Sequence, residues 1–391
     1  MTTDLVQRTA PWIGEDSKIL RELNAPTRVY VLEGPVGGGG YEWWHVIPEG
    51  GNRDDAGWVA ARGKDGEEWL RPTPDAGGTW SIVSRHDVTG APPAVFSSVV
   101  GQGGRLYLFT GPLNNSLAFD RQTCAWLDLA PMPLAQAAPH SVSAANGLLY
   151  VIGAPFGGSA SNEERSDVQV YDPATDSWAQ AKAAPGRIAW DSAVISDTKG
   201  LIWTFGLHGI MAYDPAQDAW EGKPIPTAWQ YLIDGAAHLG DGDVAMLAGG
   251  GRGLWRYGLN DGAWSELGRP RVARHNSSMV AMPDGRLAVS GGYLAGSCAS
   301  AGPGEPWHAP APSYNLVDVF DPDSGRWQAL PPLPLELGGS LVVIEDHLYI
   351  VGLERSTDMS QLDVVVARYD PPSVIGGEAT TSAAGAGGCG G

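Results

Sequence analysis

Short runs of hydrophobic residues that end in glycine recur six times along the chain. The six runs end at Gly111, Gly153, Gly206, Gly249, Gly291 and Gly352. Each run has the length of a buried strand that stops at a turn. A second apolar segment precedes each run, and a tight turn such as Asn146-Gly147 or Asp284-Gly285 joins the two. The pattern predicts pairs of antiparallel strands rather than helices.

An aromatic residue follows each of the first five runs, and a tryptophan stands seven positions after that aromatic. The five pairs are Phe119 and Trp126, Tyr171 and Trp178, Tyr213 and Trp220, Tyr257 and Trp264, and Phe320 and Trp327. In three of them an Asp-Pro turn with polar residues separates the two aromatics, as in YDPATDSW from Tyr171. Each pair therefore predicts a second hairpin, which makes four strands per repeat.

A four-stranded unit of this kind cannot bury both faces alone, and packing the units around an axis solves that problem. The repeats resemble the kelch repeat, whose hallmarks are a glycine doublet after the second strand and an aromatic and a tryptophan at this spacing. The resemblance extends from about Phe96 to Pro371, although only Gly249-Gly250 and Gly291-Gly292 keep the full doublet. It implies a six-bladed kelch-type β-propeller, which we assign to residues 73–376.

The sixth repeat has its aromatic residue but lacks the matching tryptophan. Tyr369 lies in ARYDP, and Gly376 stands where the tryptophan should be. Ahead of the first repeat, DAGGTWSIV from Asp75 resembles DSGRWQAL from Asp323 without a complete blade of its own. We therefore predict that residues 79–83 form the outer strand of the last blade and close the ring.

Residues 1–72 do not carry the repeat. Their short β-like segments are LVQRTAPW, RVYVLEG, YEWWHVI, GWVAARG and EEWL. The order of these motifs is similar to bacterial SH3 domains, which implies an SH3-like barrel that binds peptides or cell-wall material. At least two of its four tryptophans should form its small core. At the other end of the chain, the Gly/Ala-rich composition of residues 377–391 predicts a disordered tail.

Charge and composition narrow the possible partners. Asp and Glu number 44 against 25 Lys and Arg, and the net charge of −19 disfavours nucleic acids and anionic membranes. We find neither a signal peptide nor a long apolar span, so we expect no membrane insertion and favour the cytoplasm, leaving an extracytoplasmic location open.

The sequence contains three cysteines, Cys124, Cys298 and Cys389. They support neither a disulfide framework nor a zinc site, although one disulfide remains possible.

The sequence offers no recognisable catalytic motif. It contains no nucleophile elbow, phosphate loop or HExxH, and it lacks the adjacent Tyr-His ligands that kelch-type copper radical oxidases need. We therefore expect no cofactor and no metal, and we assign no catalytic residue.

A ligand-binding face is predicted from the order of the strands. In a four-stranded blade the loops between strands two and three, and those leaving the outer strand, emerge on one face. Guanidinium groups clustered there suit a carboxylate. The candidate ligand-binding residues are Arg187, Trp190, Trp229, Arg252, Arg271, Arg274, His275, Trp307 and Arg355. Two other interpretations stay open, namely that the arginines neutralise nearby acidic residues and that the tryptophans wedge between blades.

These features favour a non-enzymatic recognition or scaffold protein that binds a protein, or an acidic glycan or peptide, on the propeller face. The SH3-like domain would then be a second binding or tethering module. One alternative is a metal-independent sugar-active enzyme of the sialic-acid epimerase kind, with Arg187, Arg274, His275 and Glu336 as candidate residues. The other is a structural component of a larger assembly.

Overall fold

The computed structural model describes most of the chain. The described residues are 4–25, 27–49, 55–70, 77–88, 97–111, 114–156, 166–188, 192–206, 209–224, 232–240, 242–249, 252–294, 315–333, 339–355 and 362–372. Within these ranges the protein is all-β, and its strands form one five-stranded sheet and six four-stranded sheets. The all-β class predicted from the sequence is confirmed.

The N-terminal residues form the five-stranded antiparallel sheet, in the order β2-β1-β5-β4-β3. Its strands are β1 (Leu5–Arg8), β2 (Ile19–Leu23), β3 (Val29–Gly38), β4 (Tyr41–Pro48) and β5 (Gly57–Arg62). The strand predicted at EEWL is wrong, since that segment makes only an isolated bridge between Arg62 and Glu68. The largely exposed, charged segment ILREL supplies β2 instead. Trp43 is buried in the small core of this sheet, and Trp44 and Trp69 pack against it.

Strand β6 (Thr79–Asp87) follows, and then the six four-stranded sheets, which we number I to VI in chain order. Sheet I contains β7 (Ser97–Gln102), β8 (Arg105–Thr110), β9 (Ser116–Asp120) and β10 (Ala125–Asp128). Sheet II contains β11 (Gln136–Ser143), β12 (Leu149–Pro155), β13 (Ser166–Asp172) and β14 (Ser177–Ala184). Sheet III contains β15 (Ser192–Ser196), β16 (Ile202–Gly206), β17 (Gly209–Asp214) and β18 (Ala219–Lys223).

The second half of the chain repeats this arrangement. Sheet IV contains β19 (Ile233–Gly240), β20 (Asp243–Ala248), β21 (Gly253–Gly258) and β22 (Trp264–Gly268). Sheet V contains β23 (Arg274–Ala281), β24 (Leu287–Leu294), β25 (Val317–Asp321) and β26 (Arg326–Ala329). Sheet VI contains β27 (Gly339–Ile344), β28 (His347–Arg355), β29 (Leu362–Asp370) and, as its fourth strand, β6.

The five predicted aromatic pairs are cross-strand neighbours in sheets I to V, and Trp80 and Tyr369 form the corresponding pair in sheet VI. In sheet II, for example, Tyr171 lies opposite Trp178, and their ring centroids are 5.0 Å apart. The corresponding distances in the other sheets run from 4.8 to 5.3 Å. The spacing of seven therefore places the two rings side by side across one tight hairpin, which is the geometry in which aromatic pairs stabilise a sheet.

The outer tryptophans also connect neighbouring sheets. Trp178 of sheet II donates its indole N–H to the carbonyl of Ala130, which follows the outer strand of sheet I, at 2.8 Å. Asp176 accepts from both the Ala130 N–H and the Tyr171 hydroxyl, at 2.9 and 2.7 Å. Sheet III repeats the same arrangement one sheet further along, with Trp220 donating to Lys182. One short motif thus provides both a hairpin and a contact between sheets.

Strand β6, which precedes sheet I in the chain, completes sheet VI as its outer strand, as the sequence predicts. β6 pairs antiparallel with β29 and places Trp80 opposite Tyr369, where the sixth repeat lacks its own tryptophan. Trp80 donates to the carbonyl of Pro331 in sheet V at 2.9 Å, and Trp126 of sheet I donates to Ser84 on β6 at 2.8 Å. The closing strand therefore uses the same tryptophan contacts as the other sheets, and it extends beyond the predicted residues 79–83 to Asp87.

Each sheet has one innermost strand, and each innermost strand contacts that of the next sheet in chain order. These strands are β7, β11, β15, β19, β23 and β27, and β27 also contacts β7, which completes a ring. The arrangement is propeller-like, with a core of buried aliphatic and aromatic side chains between successive sheets. Cys124, in the turn between β9 and β10, is disulfide-bonded. The one disulfide that the sequence left possible is therefore present.

Candidate functional site

A cavity of about 400 Å³ lies on the axis of the ring formed by the inner strands. Its walls are residues in the first half of the inner strands, together with Gly292 of β24 and residues 351–353 of β28 from two second strands. We call this side of the ring the loop end, because the inner strands begin and the outer strands finish there. The predicted ligand face is on the same side.

Each of the six inner strands contributes a polar side chain to the cavity wall. These are Ser98 on β7, His140 on β11, Ser192 on β15, Asp234 on β19, Asn276, Ser277 and Ser278 on β23, and Ser340 on β27. Some of them also join neighbouring strands, since Ser98 accepts from the Ser141 N–H at 2.6 Å and Ser278 accepts from the Leu341 N–H at 2.9 Å. The cavity is thus lined mainly by hydroxyl groups between small and aliphatic residues.

Asp234 is the acidic side chain of the described cavity wall. It lies at an irregularity of β19, where the pairing with β20 skips from Ile233 to Gly235. The Ser277 hydroxyl donates to its carboxyl group at 3.3 Å, and the backbone N–H groups of Asn276 and Ser277 donate as well. Burial nevertheless dominates and raises the pKa of Asp234 to about 7. This carboxyl group can therefore hold or release a proton near neutral pH.

His275 approaches Asp234 from the next sheet. A Cβ atom placed on Gly249 would lie 2.9 Å from both Asp234 Oδ1 and His275 Nδ1, so the two side chains converge on this glycine. Burial lowers the pKa of His275, and the nearby Arg252 guanidinium lowers it further, which favours the neutral imidazole. Arg252 is exposed between β20 and β21. Asp234, His275 and Arg252 therefore form one corner of the loop end.

The structure corrects the expectation that Arg271 and Arg274 are exposed on this face. Their side chains are 8% and 1% exposed, and both guanidinium groups bind Asp318, which is itself 1% exposed at the start of β25. Arg274 also donates to the carbonyls of Gly291 and Leu316, at 3.3 and 3.2 Å. These two arginines neutralise a buried acid, which is the alternative that the sequence left open.

Arg271 links the five-stranded sheet to the ring. Its Nε lies 3.4 Å from Glu49 Oε1, just beyond β4. Beside this ion pair, Ile47 and Val272 are fully buried in one apolar cluster against Ala56 and Leu316. The five-stranded sheet therefore packs on sheet V at the loop end.

The other predicted site residues are distributed as follows. Arg187 is half-buried just after β14, and Arg355 ends β28, so both belong to the loop end. Trp190, Trp229, Trp307 and Glu336 lie outside the described residues. A ligand-binding role for Arg187, Arg252, His275 and Arg355 stays a prediction. Sequence reasoning missed Asp234, because no motif in the sequence marks this residue.

The described residues contain neither a cluster of metal-binding side chains nor a membrane-spanning helix. They include no group of three or more His, Cys, Asp or Glu side chains placed to hold a metal ion. Nor do they include a helix with the length and apolar character that crossing a membrane requires.

Comparison with known proteins agrees with the repeat and the fold. A family model described as the Kelch motif matches residues 137–183, which span most of sheet II. Kelch-like protein 34 of Homo sapiens is 26% identical over 275 residues, which cover 63% of this chain and 39% of that protein. Kelch-like protein 36 of Mus musculus is 26% identical over 239 residues, covering 56% of this chain and 36% of that protein. The chain thus spans less than two fifths of the length of these relatives.

Among solved structures, that of YjhT superposes with a TM-score of 0.53 at 15% sequence identity, covering 71% of this chain and 96% of that chain. At this identity the likeness concerns the fold alone. Together with the motif and the curated relatives, it supports a kelch-repeat family and a propeller-like fold for this chain.

Proposed function

We propose that this chain is a non-enzymatic recognition scaffold, in which sheets I to VI are the blades of a six-bladed kelch-type propeller and the loop end binds a protein partner. The main observation behind the proposal is that the inner strands contact one another in a closed ring around a cavity at the loop end. The similarity to Kelch-like proteins supports the same conclusion.

The position of the five-stranded sheet supports a binding surface made of two parts. Because it packs against Val272 and Leu316, it stands at the loop end and can contact a partner bound to the surface there. It also carries a groove of about 380 Å³ lined by Tyr41, Trp43 and Trp69, among other residues. In this proposal it is the SH3-like second module, and the whole protein resides in the cytoplasm.

Site-specific photo-crosslinking tests the proposal. A crosslinking amino acid replaces Arg269, which follows the outer strand of sheet IV at the loop end. As the matched control, the same amino acid replaces Arg326, which begins the outer strand of sheet V at the opposite end of the ring. Proteins captured at position 269 are then purified and titrated calorimetrically against the whole chain. We expect a partner that crosslinks only at the loop end and binds in solution. Capture at both ends equally, or captured proteins that do not bind in calorimetry, would contradict the proposal.

One observation favours a second candidate, a sugar-active enzyme. A carboxyl group with a pKa near 7 beside a neutral imidazole is a combination suited to proton transfer at physiological pH. Arg274 cannot serve as a substrate-binding residue in this candidate, because it is buried against Asp318. Turnover of N-acetylated sugars, followed by NMR with wild-type protein and Asp234→Asn, distinguishes the enzyme from the scaffold.

A further inference from the structure

The charges that line the axial cavity differ from those of the surrounding loop end. Arg252, Arg269 and Arg187 belong to the loop end, yet neither lysine nor arginine lines the described part of the cavity wall. The titratable groups there are Asp234 and His140. An anionic ligand would therefore approach a carboxyl group without a neighbouring cation in the wall, which is unfavourable.

The remaining polar groups of the wall suit a ligand with many hydroxyl groups. A serine hydroxyl both donates and accepts a hydrogen bond, and Ser98, Ser278 and Ser340, which are only partly buried, present such groups from three different strands. Between them lie aliphatic surfaces such as Val99, on which carbon atoms of a ring can pack. A neutral polyol or sugar has this same mixture of hydroxyl groups and apolar C–H surface.

The size of the cavity agrees with this chemistry. At about 30 Å³ per water molecule, 400 Å³ is room for roughly thirteen waters, or for a ligand of about a dozen heavy atoms that keeps part of its hydration. The volume also lies near the lower end of the range of small-molecule sites, about 300–1,000 Å³. A monosaccharide or a cyclic polyol fits this space.

The backbone at the mouth departs from regular strand geometry. Ala138 and Asn276 adopt positive φ angles of 51° and 55°, and the pairing of β11 is irregular at Ala138. Together with the irregularity at Asp234, this makes two bulged inner strands at one end of the ring. Such bulges redirect side chains and are common beside binding sites.

We propose that the axial cavity binds a neutral, polyhydroxylated small molecule of about monosaccharide size, with Asp234 and the serine hydroxyls as its hydrogen-bonding partners. The ligand's hydroxyl groups form hydrogen bonds with Asp234, Ser278 and Ser340, and its C–H face packs on the aliphatic wall. This inference goes beyond the proposed protein partner and does not depend on it, because the cavity lies inside the ring whereas the partner binds the surrounding surface.

Three probes with the same ring but different charge test the ligand class. Glucose, glucosamine and glucuronate are neutral, cationic and anionic respectively at pH 7, and myo-inositol and N-acetylglucosamine extend the neutral set. Saturation-transfer NMR with the full chain measures binding of each probe. We expect at least one neutral probe to bind, and glucuronate to bind at least tenfold more weakly than that probe, because its carboxylate approaches Asp234. Stronger binding of glucuronate or glucosamine, or binding of none of the neutral probes, overturns the proposal.

Two cavity variants and one control locate the site. Ala236→Leu fills the cavity from β19 and should abolish binding, and Ser340→Ala removes one hydroxyl group and should weaken binding about two- to tenfold. Ala125→Leu, on the exposed outer strand β10, is the matched control and should leave binding unchanged. If Ala236→Leu does not fold, Ser340→Ala decides the matter. Undiminished binding by a folded cavity variant overturns the site, whereas the crosslinking result at position 269 is unaffected.

Discussion

Replacing Arg274 by methionine should destabilise the protein strongly, although the sequence alone places this residue on an exposed face. In the structure the guanidinium group pairs with Asp318, and both side chains are 1% exposed. Without Arg274, the carboxylate keeps only Arg271, whose Nη1 lies 3.5 Å from Asp318 Oδ1. Breaking a buried ion pair from one side typically costs about 3–5 kcal/mol, because the remaining charge is left desolvated.

A neighbouring ion pair provides the matched control. Arg256 binds Asp243 at 2.6 Å in sheet IV, but its side chain is 47% exposed. Arg256→Met should therefore cost at most about 1 kcal/mol, as exposed pairs do. Since about 1 kcal/mol shifts the melting temperature of a large domain by roughly 2 °C, the expected decreases are about 6–10 °C for Arg274→Met and about 2 °C or less for Arg256→Met.

Denaturant titration of Arg274→Met, Asp318→Leu and the double variant completes the test. The double variant removes both charges, so it should recover much of the stability lost in each single variant, with a coupling energy of about 2 kcal/mol or more. If Arg274→Met loses less than about 1 kcal/mol, or if the two losses simply add, the buried pair is refuted. Arg274 would then be the exposed ligand-binding residue that the sequence suggested.

Three further predictions concern the closing strand, the cavity and the contact between the two parts of the molecule. Trp80→Phe should cost about 1 kcal/mol through loss of the hydrogen bond to sheet V, the same as Trp178→Phe at the equivalent position of sheet II; thermal unfolding compares them, and no loss at Trp80 would contradict the closure. The folded-state pKa of Asp234, about 7, lies above the unfolded value of about 3.9, so the native state binds more protons between these values and wild-type stability should fall as the pH rises from about 4 to 7. Asp234→Asn should remove this decrease, and parallel pH profiles of the two proteins would disprove it. Glu49→Gln should speed hydrogen exchange around Val272 roughly fivefold by weakening a half-exposed ion pair, and unchanged exchange there would show that the apolar contact alone holds the five-stranded sheet.

The local part of the fold was predictable because its signals are short in sequence. Tyr171 and Trp178 lie opposite each other because seven positions and an Asp-Pro turn close one hairpin, and nothing distant is needed for that contact. The closing strand was predictable for the same reason, since Tyr369 lacks a tryptophan within its own repeat and Trp80 has the matching flanking residues. A contact across almost the whole chain could thus be inferred from a missing local partner.

The buried charges could not be predicted in this way. The position of Arg274 beside a loop follows from the repeat, but its burial depends on Asp318, 44 residues later, and on the five-stranded sheet that covers Arg271. Neither contact has a periodic signal, and an arginine in a connecting segment is ordinarily exposed. Asp234 was missed for a related reason, because an acidic residue at the start of a strand is common on surfaces and only the closed ring encloses it.

The two ends of the inner strands differ in what their polar side chains do. At the end opposite the cavity, Ser143 donates to Gln102 at 2.6 Å and Ser196 donates to the Ser143 carbonyl at 2.6 Å, so neighbouring strands satisfy one another. At the loop end, Asp234 accepts hydrogen bonds that an asparagine oxygen could also accept, yet its carboxyl group adds a desolvation cost above neutral pH. Stability alone therefore favours asparagine at this position. A carboxyl group placed at a stability cost in an open cavity is best explained by a ligand that uses it.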